Sequence, residues 1–321
     1  MASGAMPSLH PGEARRAPVD SRRVRGPGWR VTEAELLEYL RGRLCLEGPL
    51  ERFARGSVCV AADAHTVVKA FPEGEQAHAD TEWCALEGAF GRLPIPTPEP
   101  RDRGSFEGWH WIAMSRLEGQ ELFERWPTLT ARERVALGLQ LGEAVSVLHG
   151  LEPPEGLGRL DWDPWVGARV AGAVERQRGL GAPEKLVAEL PDFLSSVDLS
   201  AGGPSVWLHT ELMRDHLLVR DGPEGPRLCG LFDFEPSWVA PASYELSSVG
   251  LFVAGGDRQV LEAVLEGMGR GPMDPRRLLG LALVHRYANL RFWLERVGAP
   301  EGAGLDALAE RWFGNELSRV G

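Results

Sequence analysis

The chain has almost no lysine. Of its 35 basic residues only Lys69 and Lys185 are lysines, and the rest are arginines. Arginine is the default cation, so a lysine kept inside the apolar run Thr66-Val67-Val68-Lys69-Ala70-Phe71 points to a need for a compact ammonium. The plain alternative is a strand-end lysine reaching for water. Cysteine is also scarce. Cys45, Cys59, Cys84 and Cys229 show no Cys-x-x-Cys spacing and read as reduced, mostly buried thiols of a cytoplasmic protein. No apolar run approaches the ~20 residues of a membrane span, and none follows the N-terminus as in a signal peptide. An excess of positive charge is missing too. The net charge of -11 argues against nucleic acid and anionic membrane surfaces, and it suits a cationic small molecule only weakly. There is no internal repeat.

What is present suffices for about two domains. The chain has 321 residues, 43% of them hydrophobic. Residues 1–30, rich in Gly, Pro, Ala and Arg, read as a disordered arm. Thr32-Glu33-Ala34-Glu35 is a capping-box pattern, followed by Leu36, Leu37, Leu40 and Leu44 at helical spacing. From Leu50 to Phe71 the residues suggest three strands, with Arg55-Gly56-Ser57 as the turn between the first two. Ala77 to Phe90 reads as a helix carrying Glu82 and Glu87, and the proline-rich run from Leu93 to Pro100 ends it. Trp109 to Met114 reads as a strand leading into Ser115-Arg116-Leu117-Glu118-Gly119. Helices are expected over Leu129–Leu151 and from Asp161 to about Arg178. Others are expected over Leu186–Val197, Gln259–Gly269, Arg276–Val297 and Leu305–Val320. His149 sits where a helix end favours a cation.

The chemistry concentrates between Val206 and Glu235. A polar loop carrying His209, Glu211, Asp215 and His216 precedes an apolar hairpin turned at Asp221-Gly222-Pro223-Glu224-Gly225-Pro226, and Asp233 follows between Phe232 and Phe234. Three carboxylates and two imidazoles are thus brought together beside apolar strands. Such charges need partners, and a divalent cation is an obvious one.

This layout resembles the aminoglycoside phosphotransferase family, whose loop is His-x-Asp followed by Asn and whose later motif is apolar-Asp-Phe/Trp. The corresponding residues here are His209-Thr210-Glu211 with His216, then Phe232-Asp233-Phe234, then Pro241-Ala242-Ser243-Tyr244-Glu245-Leu246 for the family's Pro-x-x-Tyr-Asp-Leu. The resemblance covers about residues 45–300. It implies a two-lobed, protein-kinase-like α+β fold, with a small β-rich N-lobe over residues 31–117 and a larger, mainly helical C-lobe over 118–321. It also implies ATP-dependent phosphoryl transfer to a small hydroxylated acceptor.

In that reading Lys69 holds the nucleotide and Glu82, rather than Glu87, holds Lys69. Gly56 and Ser57 lay backbone N–H groups over phosphates, and Met114 and Leu117 flank the adenine. Asp233 and His216 bind Mg2+, or Mn2+. Glu211 orients the acceptor hydroxyl and takes its proton, Asp215 assists, and His209 fixes the loop. Met114 and Leu117 also suit an ordinary core, and Gly56-Ser57 an ordinary turn. Glu211 departs from the family's Asp and His216 from its Asn. Those departures leave open a nucleotide-binding pseudokinase or regulatory partner. A further alternative is a non-haem iron enzyme using His209, Glu211 and a distant His such as His285.

Overall fold

The structure, a computed structural model, describes residues 31–55 and 58–314. The expected arm, the Gly56–Ser57 turn and the end of the last expected helix lie outside the described residues.

The first lobe begins as its capping box predicts. Glu35 N–H donates to Thr32 Oγ1 at 3.3 Å and Thr32 N–H donates back to Glu35 Oε2 at 2.7 Å, opening α1 (Glu33–Leu44). Then come β1 (Glu51–Arg55), β2 (Val58–Ala62), β3 (Thr66–Phe71), α2 (Gln76–Ala89), β4 (Pro100–Phe106) and β5 (Trp109–Ser115). The strands form one antiparallel sheet in the order β1-β2-β3-β5-β4. Alternation along each strand sorts the side chains by face. Val68, Ala70, Trp109 and Trp111 pack with Leu36 and Leu40 of α1, while Phe71, Ile112 and Met114 join the main core with Leu86 of α2. Lys69 stands opposite Ile112 in the ladder, and so on the face that meets α2.

Helix α2 is seated against the second lobe. A Cβ on Gly88 would lie 2.6 Å from Pro154 and 2.8 Å from the ring of Trp207, so only glycine allows this approach.

The second lobe follows through β6 (Gln120–Glu121), α3 (Leu122–Arg125), α4 (Ala131–Gly150), α5 (Trp162–Ala171), α6 (Ala173–Gly179) and α7 (Glu184–Ser196). Next come β7 (Ser205–Leu208), β8 (Leu217–Gly222), β9 (Gly225–Leu231) and β10 (Trp238–Pro241). Strands β6-β8-β9 and β7-β10 make two small sheets, and β8-β9 is the expected hairpin. α8 (Ser243–Ser248) runs into a π-helical turn (Val249–Ala254), followed by α9 (Arg258–Gly267), α10 (Pro275–Val284), α11 (Leu290–Val297) and α12 (Leu305–Phe313). None of the described helices is long and apolar enough to cross a membrane.

Two expected helices are broken. The stretch from Asp161 divides at Gly172. The expected helix over Arg276–Val297 stops at Val284 and restarts at Leu290, where Asn289 caps it by accepting from Phe292 N–H at 3.0 Å. Arg169 accounts for the gap: its guanidinium donates to the carbonyls of Val284 (2.9 Å), His285 and Arg286 (3.3 Å). The carbonyls that end α10 are thereby satisfied without further helix.

Candidate active site

The loop from His209 to His216 leaves β7 under strain. Thr210 has φ 70°, an uncommon conformation for a β-branched residue, costing roughly 1–3 kcal/mol. Glu245, fully buried at the start of α8, holds it there. Its Oε1 accepts from Thr210 N–H at 2.6 Å and its Oε2 from His209 N–H at 3.2 Å. His149 Nε2 lies 3.0 Å from the same Oε2, so this histidine is a partner of Glu245 rather than only a helix-end cation. The Thr210 hydroxyl donates to Pro236 O at 2.8 Å. His209 Nε2 donates to Phe232 O at 3.0 Å, and burial pulls the imidazole down to about 4, so it is neutral at pH 7. His209 therefore fastens the loop to the segment carrying Asp233.

An ionic cluster sits between the lobes. Lys69 Nζ donates to Glu82 Oε1 at 2.8 Å and Oε2 at 2.7 Å, and also to Asp233. Burial lowers Lys69, but Asp233, Glu82 and Glu235 outweigh it and hold the ammonium above its usual range. Burial raises Glu82 against the pull of Lys69. With the ammonium on both its oxygens, Glu82 is a carboxylate. Glu87, on the same helix, is exposed.

Asp233 has φ 71°, which a short polar side chain tolerates. Its Oδ2 lies 3.0 Å from His216 Nε2, while His216 Nδ1 lies 2.9 Å from Glu211 O. The His216 ring thus links the backbone of Glu211 to the carboxylate of Asp233. Glu235 pairs with His78 of α2, tying the lobes together a second time. The Glu211 carboxyl, although part of the residue reaches solvent, is pushed up to about 7. Burial is the main cause, His216 opposes it, and Asp233 and Glu235 reinforce it. Tyr287 stands near: burial and then Glu211 raise its phenol.

The structure does not gather every expected residue. Asp215 lines a different cavity, with Arg134, Arg214 and Arg296. His216 Nε2 faces Asp233 Oδ2 at 3.0 Å, so the two residues expected to bind the metal stand side by side. Met114 is buried in β5 and Leu117 is half-buried in the connector beyond it, while Gly56 and Ser57 lie outside the described residues. The iron triad does not assemble. His209 Nε2 is on Phe232 O, and His285 Nε2 is 3.3 Å from Thr210 O with its ring stacked on Tyr244. Burial pulls His285 down to about 3. Among the described residues no three of His, Cys, Asp and Glu group to hold a metal ion. The Asp233 carboxylate still offers hard oxygen donors. They fit an ion such as magnesium that keeps most of its coordination for water and phosphate.

Sequence reasoning named Glu245 and His149 without their contacts to each other and to the loop, and it missed His78, Glu235 and Tyr287. Glu245 carried a signal in its match to the acidic position of the family's Pro-x-x-Tyr-Asp-Leu segment.

A small antiparallel sheet over a helical lobe, with a lysine–glutamate pair facing an aspartate beyond a hairpin, defines a two-lobed, protein-kinase-like phosphotransferase fold. The sequence model of the phosphotransferase enzyme family matches residues 57–281, and the chain belongs to that family. Its structure is similar to the GDP complex of aminoglycoside 2'-phosphotransferase-IIIa, with TM-score 0.68 at 17% identity over 83% of this chain and 92% of that one. It is also similar to the streptomycin–ATP ternary complex of aminoglycoside phosphotransferase APH(2")-IIa, with TM-score 0.57 at 13% identity over 83% and 92%. Aminoglycoside phosphotransferase APH(3'')-Id from Streptomyces rimosus aligns with TM-score 0.55 at 16% identity, over 84% and 99%.

Proposed function

We propose that this phosphotransferase uses ATP to phosphorylate a hydroxyl group of a small molecule, in the cleft between the Lys69–Glu82–Asp233 cluster and Glu211. The observation that carries the reading is Lys69 bonded at once to Glu82 and to Asp233, a residue 164 positions away. A lysine so braced is poised for nucleotide phosphates, and an aspartate beside it for their metal ion. Asp233 would hold magnesium, with manganese the alternative, and the bound ion would neutralise charge on the transferring phosphoryl group. His216 positions Asp233, and His209 and Glu245 position the loop. Met114 and Leu117 would border the adenine, and Gly56 and Ser57 would lie over the phosphates. Acceptors like the streptomycin named with one of the similar structures would meet the acidic side of the cleft, at Glu211 and Glu235.

Glu211 takes the acceptor proton. A base with a pKa of about 7 is well matched to neutral solution. Glu211→Gln is expected to keep nucleotide affinity and lower transfer by roughly 100-fold or more, read by single-turnover kinetics. Transfer by the wild type should fall as pH drops below about 7, where Glu211 protonates. Because folding raises this pKa, ionising Glu211 costs stability as pH rises from 4.5 to about 7. That loss should vanish in Glu211→Gln. Wild-type transfer rates in the variant would remove Glu211 from the mechanism. The two departures, Glu211 and a His216 that occupies Asp233, favour a second reading, a nucleotide-binding regulator. Nucleotide binding without transfer to any acceptor would establish that reading instead.

A further inference from the structure

On the side of the loop away from Asp233 lies a cavity of about 190 Å³. Three guanidiniums converge on it from separate elements: Arg134 of α4, Arg214 of the loop and Arg296 of α11. Among the described residues none of the three is salt-bridged. Arg214 is held by backbone, its Nε donating to Val253 O at 2.7 Å and its Nη2 to Ala254 O at 3.1 Å. It lies flat on Trp126, with Cζ 3.8 Å from the ring centroid. Arg134 Cζ is 5.3 Å from the same ring. Arg134 Nη2 donates to Trp126 O at 3.0 Å, and its Nε is buried with no hydrogen-bond partner. Arg296 is exposed at the rim, 4.4 Å from the ring of Phe123. Gly255, with φ 61°, makes room: a Cβ there would come within 2.9 Å of Arg214 Nη2.

The carboxylates of Asp215 and Asp257 also line the cavity. Asp257 is engaged in capping α9, accepting from Val260 N–H at 3.4 Å. Burial pulls Arg214 down to about 9, and Arg296 and Arg134 each act on it more strongly than Asp215 or Asp257 opposes them. Three guanidiniums against two carboxylates leave an excess of positive charge that destabilises the fold, and an arriving anion relieves that cost. The guanidinium fork matches planar oxyanions. A cavity of about 150 Å³ already holds a benzene ring, so this one has space for a ring with its anionic group.

We propose that this cavity binds a small organic oxyanion, a carboxylate or phosphate ester on a planar apolar body, at a site separate from the nucleotide cleft. The oxyanion meets Arg134, Arg214 and Arg296, and the ring packs against Phe292 and Val297, which line the cavity and are only partly buried. The site does not depend on the phosphoryl-transfer reading, and it has the wrong charge for a polycationic antibiotic.

Calorimetry on the full chain tests it with phenyl phosphate, benzoate and benzylamine. The two anions are expected to bind and the cation not to, with phenyl phosphate against benzoate deciding which oxyanion is preferred. Arg296→Glu and Arg134→Gln should each weaken anion binding at least tenfold and leave nucleotide affinity unchanged. Should Arg134→Gln fail to fold, the exposed Arg296→Glu still gives the answer. A saturating non-hydrolysable ATP analogue with magnesium should not displace the anion. Displacement by that analogue, equal affinity in Arg296→Glu, or equal binding of benzylamine would each overturn the proposal. Nucleotide affinity in the same titrations reports separately on the cleft.

Discussion

The two sides of the loop from His209 to His216 handle charge in opposite ways. Toward the cleft the lysine cluster is paired internally: Lys69 lies between Glu82 and Asp233, and Asp233 lies between Lys69 and His216. Toward the other side Asp215 faces three guanidiniums that, among the described residues, have no salt bridge. A cluster completed inside the protein cannot lose one member without leaving a buried charge behind. A cluster left incomplete can lose a member at little cost, because its missing partner comes from outside.

Breaking the first cluster should give the largest effect. Lys69→Ala strands Glu82, which is fully buried, and should cost about 3–5 kcal/mol of stability on top of any loss of nucleotide affinity. Lys69→Met combined with Glu82→Leu should recover much of that stability while still failing to bind nucleotide tightly. Urea denaturation of the two variants measures both, and a fully stable Lys69→Ala would show that the pair is not a locked unit. Next in size is Glu245→Ala. It removes the acceptor of two buried N–H groups, each worth roughly 1–3 kcal/mol when orphaned, and frees the strained Thr210. The expected result is a loss of about 3 kcal/mol in the same assay, and hydrogen exchange should show the His209 and Thr210 amides opening first. The smallest effect belongs to the other side. Arg296→Ala should change stability by no more than about 0.5 kcal/mol, in the stabilising direction if anything, since it relieves repulsion at Arg214. A loss of several kcal/mol there would mean that the arginines are a structural cluster after all.

Much of the fold and part of the site were legible in the sequence. The scarcity of lysine singled out Lys69, and the resemblance to the family favoured Glu82 over Glu87, because the family's glutamate precedes a leucine as Glu82 precedes Leu86. The hairpin and Asp233 followed from apolar runs separated by a Gly- and Pro-rich turn. What escaped depends on contacts far apart in the chain. Within Arg276–Val297 nothing local announces that Arg169 takes the carbonyls at the break. Nothing local pairs His149 with Glu245 across 96 positions. Asp215 misled for a different reason. It adjoins His216 in sequence, but in a tight 3-10 turn neighbouring side chains leave in different directions, so one reaches Asp233 and the other the arginine cavity.

The absence of a side chain at Gly88 has a wider meaning. It lets α2 settle onto Trp207 and Pro154, and Glu82 on that same helix meets Lys69 already in register. Swinging the helix outward would undo that seat, break a buried ion pair and part His78 from Glu235 together. Such a helix makes a poor latch, because no one of the three contacts can be released without the other two.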